Sequence, residues 1–195
     1  GAMIRPSFVV WLRARRERIE IPEPKNPTQF TSALKRWGFL DAPPIALPSV
    51  TTDLESGTLD IREEALGQGE LLVTPLQMVQ AMATLGNDGV RPDLHLLAQP
   101  LSGCALSPTE SESEQRVVSA DVAEQVRTAL APYGGAVGHI GTAAAGEERQ
   151  QAWFVGLNSA SLPRYAVAVL VDRPATPEVA ADIGAELLRL VTDLR

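Results

Sequence analysis

The sequence predicts an α+β domain in which a mainly antiparallel sheet is packed by a C-terminal helix and accompanied by a helical portion. Three apolar segments, 136–144, 152–157 and 165–172, follow one another with polar stretches of hairpin-loop length between them. The chain then ends in an amphipathic segment, 177–194, whose apolar residues recur every three or four positions. Short sequential strands followed by a helix are typical of α+β domains.

The three apolar segments are expected to form neighbouring antiparallel strands, with the C-terminal helix lying across them. Residues 165–171 are apolar almost throughout, which favours a strand covered on both faces rather than an edge strand. The helix needs an apolar surface to pack against, because it carries a stripe at helical spacing. That stripe consists of Ile183, Leu187, Val191 and Leu194.

The helices upstream are marked by their caps. Thr74-Pro75-Leu76-Gln77 combines an N-cap threonine, a first-turn proline and the glutamine of a capping box, so a helix is predicted from Pro75 to about Gly86. Its predicted apolar face holds Leu76, Val79, Met82 and Ala83. Ser119 caps a second helix over about 120–131, and a short helix within 26–40 is expected to end near Gly38.

Charge and composition limit the classes of function that the chain could have. The chain has 195 residues, a formal charge of −7 and a pI of about 4.9, which excludes the general phosphate attraction of nucleic-acid-binding proteins. Residues 1–24 form a basic N-terminal arm or first helix, of which 1–3 are typical of the remnant of a removed tag, and 25–195 are predicted to form the domain. No apolar run reaches the roughly 18 residues of a membrane span.

A long segment of the sequence resembles a known family. It runs from Ala65-Leu66-Gly67-Gln68-Gly69 through Thr74-Pro75-Leu76-Gln77-Met78 to Gly86-Asn87-Asp88-Gly89-Val90. Together with Trp37-Gly38-Phe39 and Ala152-Trp153-Phe154-Val155-Gly156, in the same order along the chain, it is similar to the C-terminal part of penicillin-binding protein transpeptidase domains. The resemblance covers about residues 28–192.

This resemblance implies a partial penicillin-binding protein/β-lactamase-like transpeptidase fold. The family's active site combines a nucleophilic serine in Ser-x-x-Lys, a Ser-x-Asn motif and a Lys-[Ser/Thr]-Gly strand. That strand binds the substrate carboxylate and supplies a backbone donor to the oxyanion. It corresponds here to His139, Ile140, Gly141 and Thr142, so two of its three key residue types are replaced.

The replacements weaken the predicted substrate strand. His139 could carry positive charge only near or below its ordinary pKa of about 6.5, and Ile140 offers no hydrogen bond. The simpler interpretation of His139 is a satisfied or exposed strand residue. Gly141 is expected to let another backbone or side chain approach the strand closely. The sequence therefore predicts a vestigial site with weak carboxylate capture.

No convincing nucleophile accompanies this strand. The one Ser-x-x-Lys is Ser32 to Lys35, which lies just before Trp37-Gly38-Phe39 instead of well upstream of it. No Ser-x-Asn occurs, and its positional counterpart is Ser7-Phe8-Val9. Cys104 with His95 or His139 has no identifiable orienting partner, and neither a metal nor a cofactor is indicated.

We therefore expect a non-catalytic, transpeptidase-like scaffold or interaction module in bacterial cell-wall synthesis or division. Two alternatives stay open: a fragment of an active D,D-transpeptidase whose Ser-x-x-Lys half lies outside this chain, and a non-cleaving module that binds peptidoglycan stem peptides. The expected partners are other cell-envelope proteins or a second copy of the chain. The resemblance implies an extracytoplasmic location, with a membrane anchor outside this chain.

Overall fold

The computed structural model of the chain describes residues 27–43, 45, 71–94, 115–144 and 150–194, so the basic arm lies outside the described residues. In chain order its elements are α1 (Pro27–Arg36), α2 (Pro75–Gly86), β1 (Val90–Arg91), β2 (Gln115–Arg116), α3 (Ala120–Ala129), β3 (Ala131–Tyr133), β4 (Ala136–Ala144), β5 (Gln150–Leu157), β6 (Ala166–Asp172) and α4 (Glu178–Asp193).

The main sheet has the strand order β3-β4-β5-β6, and every neighbouring pair is antiparallel. This confirms the three predicted strands and their adjacency. The structure adds the short strand β3, which the sequence analysis missed. It joins β4 through a tight turn in which Gly134 and Gly135 both have positive φ, a conformation that favours glycine.

The sheet separates two apolar clusters. One lies on the α1/α2 side and includes Phe39, Met82 and Trp153, and the other lies on the α4 side around Phe154. Phe154 is fully buried in a cradle of glycines, because a Cβ at Gly138 or Gly184 would lie 2.5 Å or 2.2 Å from its ring. The absence of side chains at these positions allows α4 to approach the sheet closely.

The predicted packing face of α4 is wrong, although the helix does lie on the sheet. Its buried residues are Ala180, Ala181, Gly184 and Leu188, while Ile183, Leu187 and Leu194 are exposed. Small residues face the sheet because the bulky Phe154 ring already fills the space between the layers. Apart from the buried Leu188, the larger apolar side chains of α4 are therefore not its main contacts with the sheet, and Ile183, Leu187 and Leu194 lie on its outer flank.

The expectation for β6 also needs correction. Within the described sheet β6 is an edge strand, paired only with β5. Its alternate residues do pack on both sides, Ala168 against the α2 cluster and Val169 against the α4 cluster, but they are only half-buried. The apolar run thus predicted the two-sided packing, whereas among the described strands β6 has a neighbour on one side only.

The start of α2 is confirmed in detail. Thr74 Oγ1 accepts a hydrogen bond from Gln77 N at 3.2 Å, and Thr74 N donates to Gln77 Oε1 at 2.8 Å, which completes the capping box. The Gln77 amide nitrogen also lies 3.2 Å, 3.1 Å and 3.1 Å from the carbonyl oxygens of Gly38, Phe39 and Asp41. One buried side chain therefore joins two segments that carry the family resemblance.

The apolar face predicted for α2 is wrong at most positions. Leu76, Val79 and Ala83 are only half-buried, and the buried residues are Gln77, Met78, Gln80, Met82, Thr84 and Leu85. Buried polar side chains are tolerated here because each has a partner: Gln80 donates to Pro92 O and Thr84 to Gln80 O.

A buried arginine closes the other end of α2. Arg127, on α3, donates through Nη1 to Leu85 O and to Asp88 Oδ1, and through Nε to Ala160 O at 3.0 Å. Asp88 has φ of 49°, in the turn that the sequence Gly86-Asn87-Asp88-Gly89 predicted. The guanidinium thus satisfies one carbonyl in the last turn of α2 and joins α2, α3 and the β5–β6 connection.

Candidate functional site

Strand β4 carries the four residues predicted to correspond to the family's substrate strand. On one side of β4, β3 pairs only with Ala136, Val137 and Gly138. On the other side its register with β5 is continuous to Ala144. Among the described strands, β4 is therefore paired on one side only from Ile140 onward.

The two faces of β4 differ in chemistry because side chains alternate along a strand. His139 and Gly141 share the face of Trp153, whose ring lies 5.8 Å from the His139 ring in an edge-on arrangement. Ile140 packs with the Phe154 cluster on the opposite face, where Thr142 also belongs by alternation. The side chains of the motif are thus divided between the two faces of the sheet.

The environment of His139 keeps it neutral. The side chain is half-buried, and desolvation by burial lowers its pKa from 6.5 to about 4. At neutral pH the imidazole carries no charge to offer to a carboxylate. The position predicted to correspond to the family's lysine therefore holds a group without positive charge at neutral pH.

Ile140 and Thr142 differ in their exposure to solvent. Ile140 is half-buried against the apolar cluster on the α4 side, so it stabilises the strand without presenting a hydroxyl. Thr142 is exposed and keeps its hydroxyl accessible. Of the residues in the motif, Thr142 is the only one that presents a polar side chain to solvent.

The packing of Trp153 against β4 explains why position 141 holds a glycine. A Cβ at this position would lie 2.2 Å from two atoms of the Trp153 indole, so no larger residue fits without movement. This confirms the prediction that another side chain approaches the strand here. The sequence contained a signal for this contact, since β4 carries two glycines and β5 carries adjacent Trp153 and Phe154.

The alternative nucleophile is placed on another element. Ser32 and Lys35 both lie on α1 with exposed side chains, and the structure records no side-chain hydrogen bond between them. Ser7, His95 and Cys104 lie outside the described residues. The described residues therefore bring together the substrate-strand motif but no nucleophile and base.

Comparison with known proteins agrees with this geometry. Residues 19–189 match the penicillin binding protein transpeptidase domain, so the chain belongs to that family. It is 32% identical over 170 residues to the peptidoglycan D,D-transpeptidase PbpA of Mycolicibacterium smegmatis, covering 74% of this chain and 34% of that protein. The chain thus spans about a third of the length of this relative.

Solved structures share the fold. A peptidoglycan synthetase from Bifidobacterium adolescentis has a TM-score of 0.72 and 18% identity, with 88% of this chain and 36% of that one covered. Penicillin-binding protein A from M. tuberculosis, solved as an imipenem acyl-enzyme, has a TM-score of 0.68 and 23% identity, with 86% and 42% covered. The α+β architecture, as a partial transpeptidase fold, is therefore established.

Proposed function

We propose that this chain is a non-catalytic member of the transpeptidase family that serves peptidoglycan synthesis or division as a scaffold or interaction module. The family works in peptidoglycan synthesis, as the name of the similar PbpA states. The chain keeps the fold of the family, but its residues are poorly suited to the family's chemistry.

The single observation that supports the proposal is the neutral His139 on β4. The family's motif needs a permanent cation here to attract a carboxylate, and burial instead lowers the pKa of this group to about 4. Ile140 adds no hydrogen-bonding group beside it. Substrate recognition at this strand would have to rely on Thr142 and on backbone groups alone.

A covalent labelling experiment tests the proposal. The chain should form no adduct with a fluorescent penicillin at neutral pH, because an acyl-enzyme needs an activated nucleophile beside an oxyanion site. An active penicillin-binding transpeptidase serves as the positive control. Labelling lost in Ser32→Ala would show that the α1 pair is catalytic, and labelling lost in Cys104→Ser would identify the thiol. Either result contradicts the proposal.

The pH dependence of peptide binding distinguishes the stem-peptide-binding alternative from the scaffold proposal. If a charged His139 captured the terminal carboxylate, affinity for a D-Ala-D-Ala peptide would increase only as the pH falls toward about 4, the pKa of this group. The scaffold proposal expects no measurable binding at any pH by calorimetry. Binding that is lost on His139→Ala would favour the binding module.

The fragment alternative is favoured by one finding, the short span of the chain relative to its relatives. In that case a longer form carrying an upstream Ser-x-x-Lys would react with penicillin although this chain does not. An extracytoplasmic, membrane-anchored location is part of the proposal and follows from the family. No helix in the described ranges has the length and apolar character to cross a membrane.

A further inference from the structure

The turn that ends α2 contains the only Asp-Gly pair of the chain. Asp88 is followed by Gly89, and neither a second Asp-Gly nor any Asn-Gly occurs in the 195 residues. Glycine has no side chain to shield its amide nitrogen, so this nitrogen can approach the carboxyl group of a preceding aspartate more readily than in other pairs. The pair is therefore the position at which the backbone of this chain is most prone to rearrange through a cyclic imide.

The fold fixes both members of the pair. Asp88 has φ of 49° and Gly89 has φ of 81°, a region in which aspartate, asparagine and glycine are the usual residues. A Cβ at position 89 would also lie 2.3 Å from the carbonyl oxygen of Val118, so no larger residue fits there. The packing of this turn therefore retains a reactive pair that a different residue at position 89 would remove.

The rearrangement needs only water. The Gly89 amide nitrogen loses its proton and bonds to Cγ of Asp88, and one carboxyl oxygen leaves as water, which closes a succinimide ring. Water then opens the ring at one of its carbonyl carbons. Attack at Cγ restores aspartate, whereas attack at the main-chain carbonyl carbon of residue 88 breaks its bond to nitrogen and leaves isoaspartate, with the chain continuing through Cγ. The water released in the first step is balanced by the water taken up in the second.

Hydrogen bonds in the structure restrain both reacting groups. The amide nitrogen of Gly89 donates to Thr84 O at 2.9 Å, and Asp88 Oδ1 lies 3.0 Å from Nη1 of Arg127. Arg116 Nη1 donates to the main-chain oxygen of Asp88 at 2.8 Å. Ring closure consumes the N–H group that Gly89 donates, and it turns the Asp88 carboxyl group toward that nitrogen and away from Arg127. The reaction therefore proceeds from an opened form of the turn.

Arg127 is held in place more firmly than the carboxylate with which it pairs. Its side chain is 6% exposed and also donates to Leu85 O and Ala160 O, whereas the Asp88 side chain is 66% exposed. The carboxyl group is thus accessible to the water that the reaction requires. The restraint on its movement comes from a buried guanidinium with two further partners.

We propose that Asp88-Gly89 is a site of spontaneous isoaspartate formation, and that Arg127 and Arg116 suppress this reaction in the folded protein. Isoaspartate adds one methylene group to the main chain within the turn and moves the carboxylate to a different carbon. The rearranged turn no longer matches the oxygen positions that Arg127 contacts, so the contact between α2 and α3 is weakened. Arg127 therefore preserves the covalent structure of the turn as well as its packing.

Ageing of the 195-residue chain in water labelled with heavy oxygen measures the reaction, because each ring opening adds one labelled oxygen to residue 88. Peptide mapping separates aspartate from isoaspartate at this position. A free peptide of residues 84–94 is the reference, because it contains the same pair without Arg116 or Arg127. At neutral pH the folded wild type should convert at least about tenfold more slowly than the peptide, because the turn has to open first.

Variants separate the local restraint from global stability. Arg127→Met should raise the rate by about tenfold and Arg116→Met by about threefold, because each removes a hydrogen bond to Asp88. Gln77→Leu is the matched control, since it removes buried hydrogen bonds at the opposite end of α2, and its rate should stay within about twofold of the wild-type rate. Circular dichroism verifies folding. If Arg127→Met is unfolded, the variant at the exposed Arg116 decides the outcome.

Three results would overturn the proposal. The first is a folded wild type that converts as fast as the peptide. The second is equal acceleration by Arg127→Met and Gln77→Leu, because the rate would then follow global unfolding rather than opening of the turn. The third is an unchanged rate in Arg116→Met. The measurement involves no catalysis, so its outcome is independent of the proposed function.

Discussion

Replacing His139 with phenylalanine should make the stability of this protein less sensitive to acid. Burial lowers the pKa of His139 from 6.5 to about 4, so between these values the unfolded chain holds a proton that the folded chain does not. The stability contributed by the neutral ring is fully present above pH 6.5 and is lost as the pH falls toward 4. Between pH 7 and pH 5 this proton linkage lowers the free energy of unfolding by about 1–2 kcal/mol. The lower value applies if solvent contact partly screens the ring.

Urea unfolding of the wild type and of His139→Phe at both pH values measures this difference. Phenylalanine keeps a ring beside Trp153 and removes the titrating group, while all carboxylates and His95 remain the same in both proteins. The wild type should lose about 1–2 kcal/mol more than the variant on acidification. Equal losses in the two proteins would refute the inference that His139 is held neutral by burial, and with it the main support for a non-catalytic strand.

Other substitutions test the packing of the fold. Gly141→Ala should cost about 1–3 kcal/mol in urea unfolding, because its Cβ would meet the indole ring over the strand, and an unchanged midpoint would contradict that contact. Arg127→Met should cost about 2–4 kcal/mol, because the carbonyl oxygens of Leu85 and Ala160 lose their donor. Arg189→Met breaks two exposed ion pairs on α4 and should cost clearly less; equal losses would be inconsistent with a structural role for the buried arginine. Gln77→Leu removes an amide whose two N–H groups are shared among the carbonyl oxygens of Gly38, Phe39 and Asp41, and should destabilise by about 2–4 kcal/mol. Gln80→Leu removes one such bond and should cost less; the reverse order would argue against the bridging role of the Gln77 amide.

The elements and their order could be predicted because their signals are local. The Thr74 capping box, the Ser119 cap and the positive-φ turn at Asp88 each depend on residues a few positions apart, and all three occur as predicted. The connections between β4, β5 and β6 have the length of hairpin loops, which likewise predicted that these strands are neighbours in the sheet. By contrast, the short β3 strand carries no apolar pattern, and its pairing depends on a turn whose conformation the flanking sequence does not specify.

The sequence by itself determined the α+β class, the family, the helix starts and the changes at His139 and Ile140. Only the tertiary structure decided that the small face of α4 packs on the sheet, that β6 lies at its described edge and that His139 is neutral. The physical reason is that hydrophobic periodicity reports that a face is apolar but not which neighbour covers it. Helix α4 has two apolar faces. The face with the smaller side chains packs on the sheet, because the Phe154 ring lies against glycines of β4, β5 and α4 and leaves no room for larger ones.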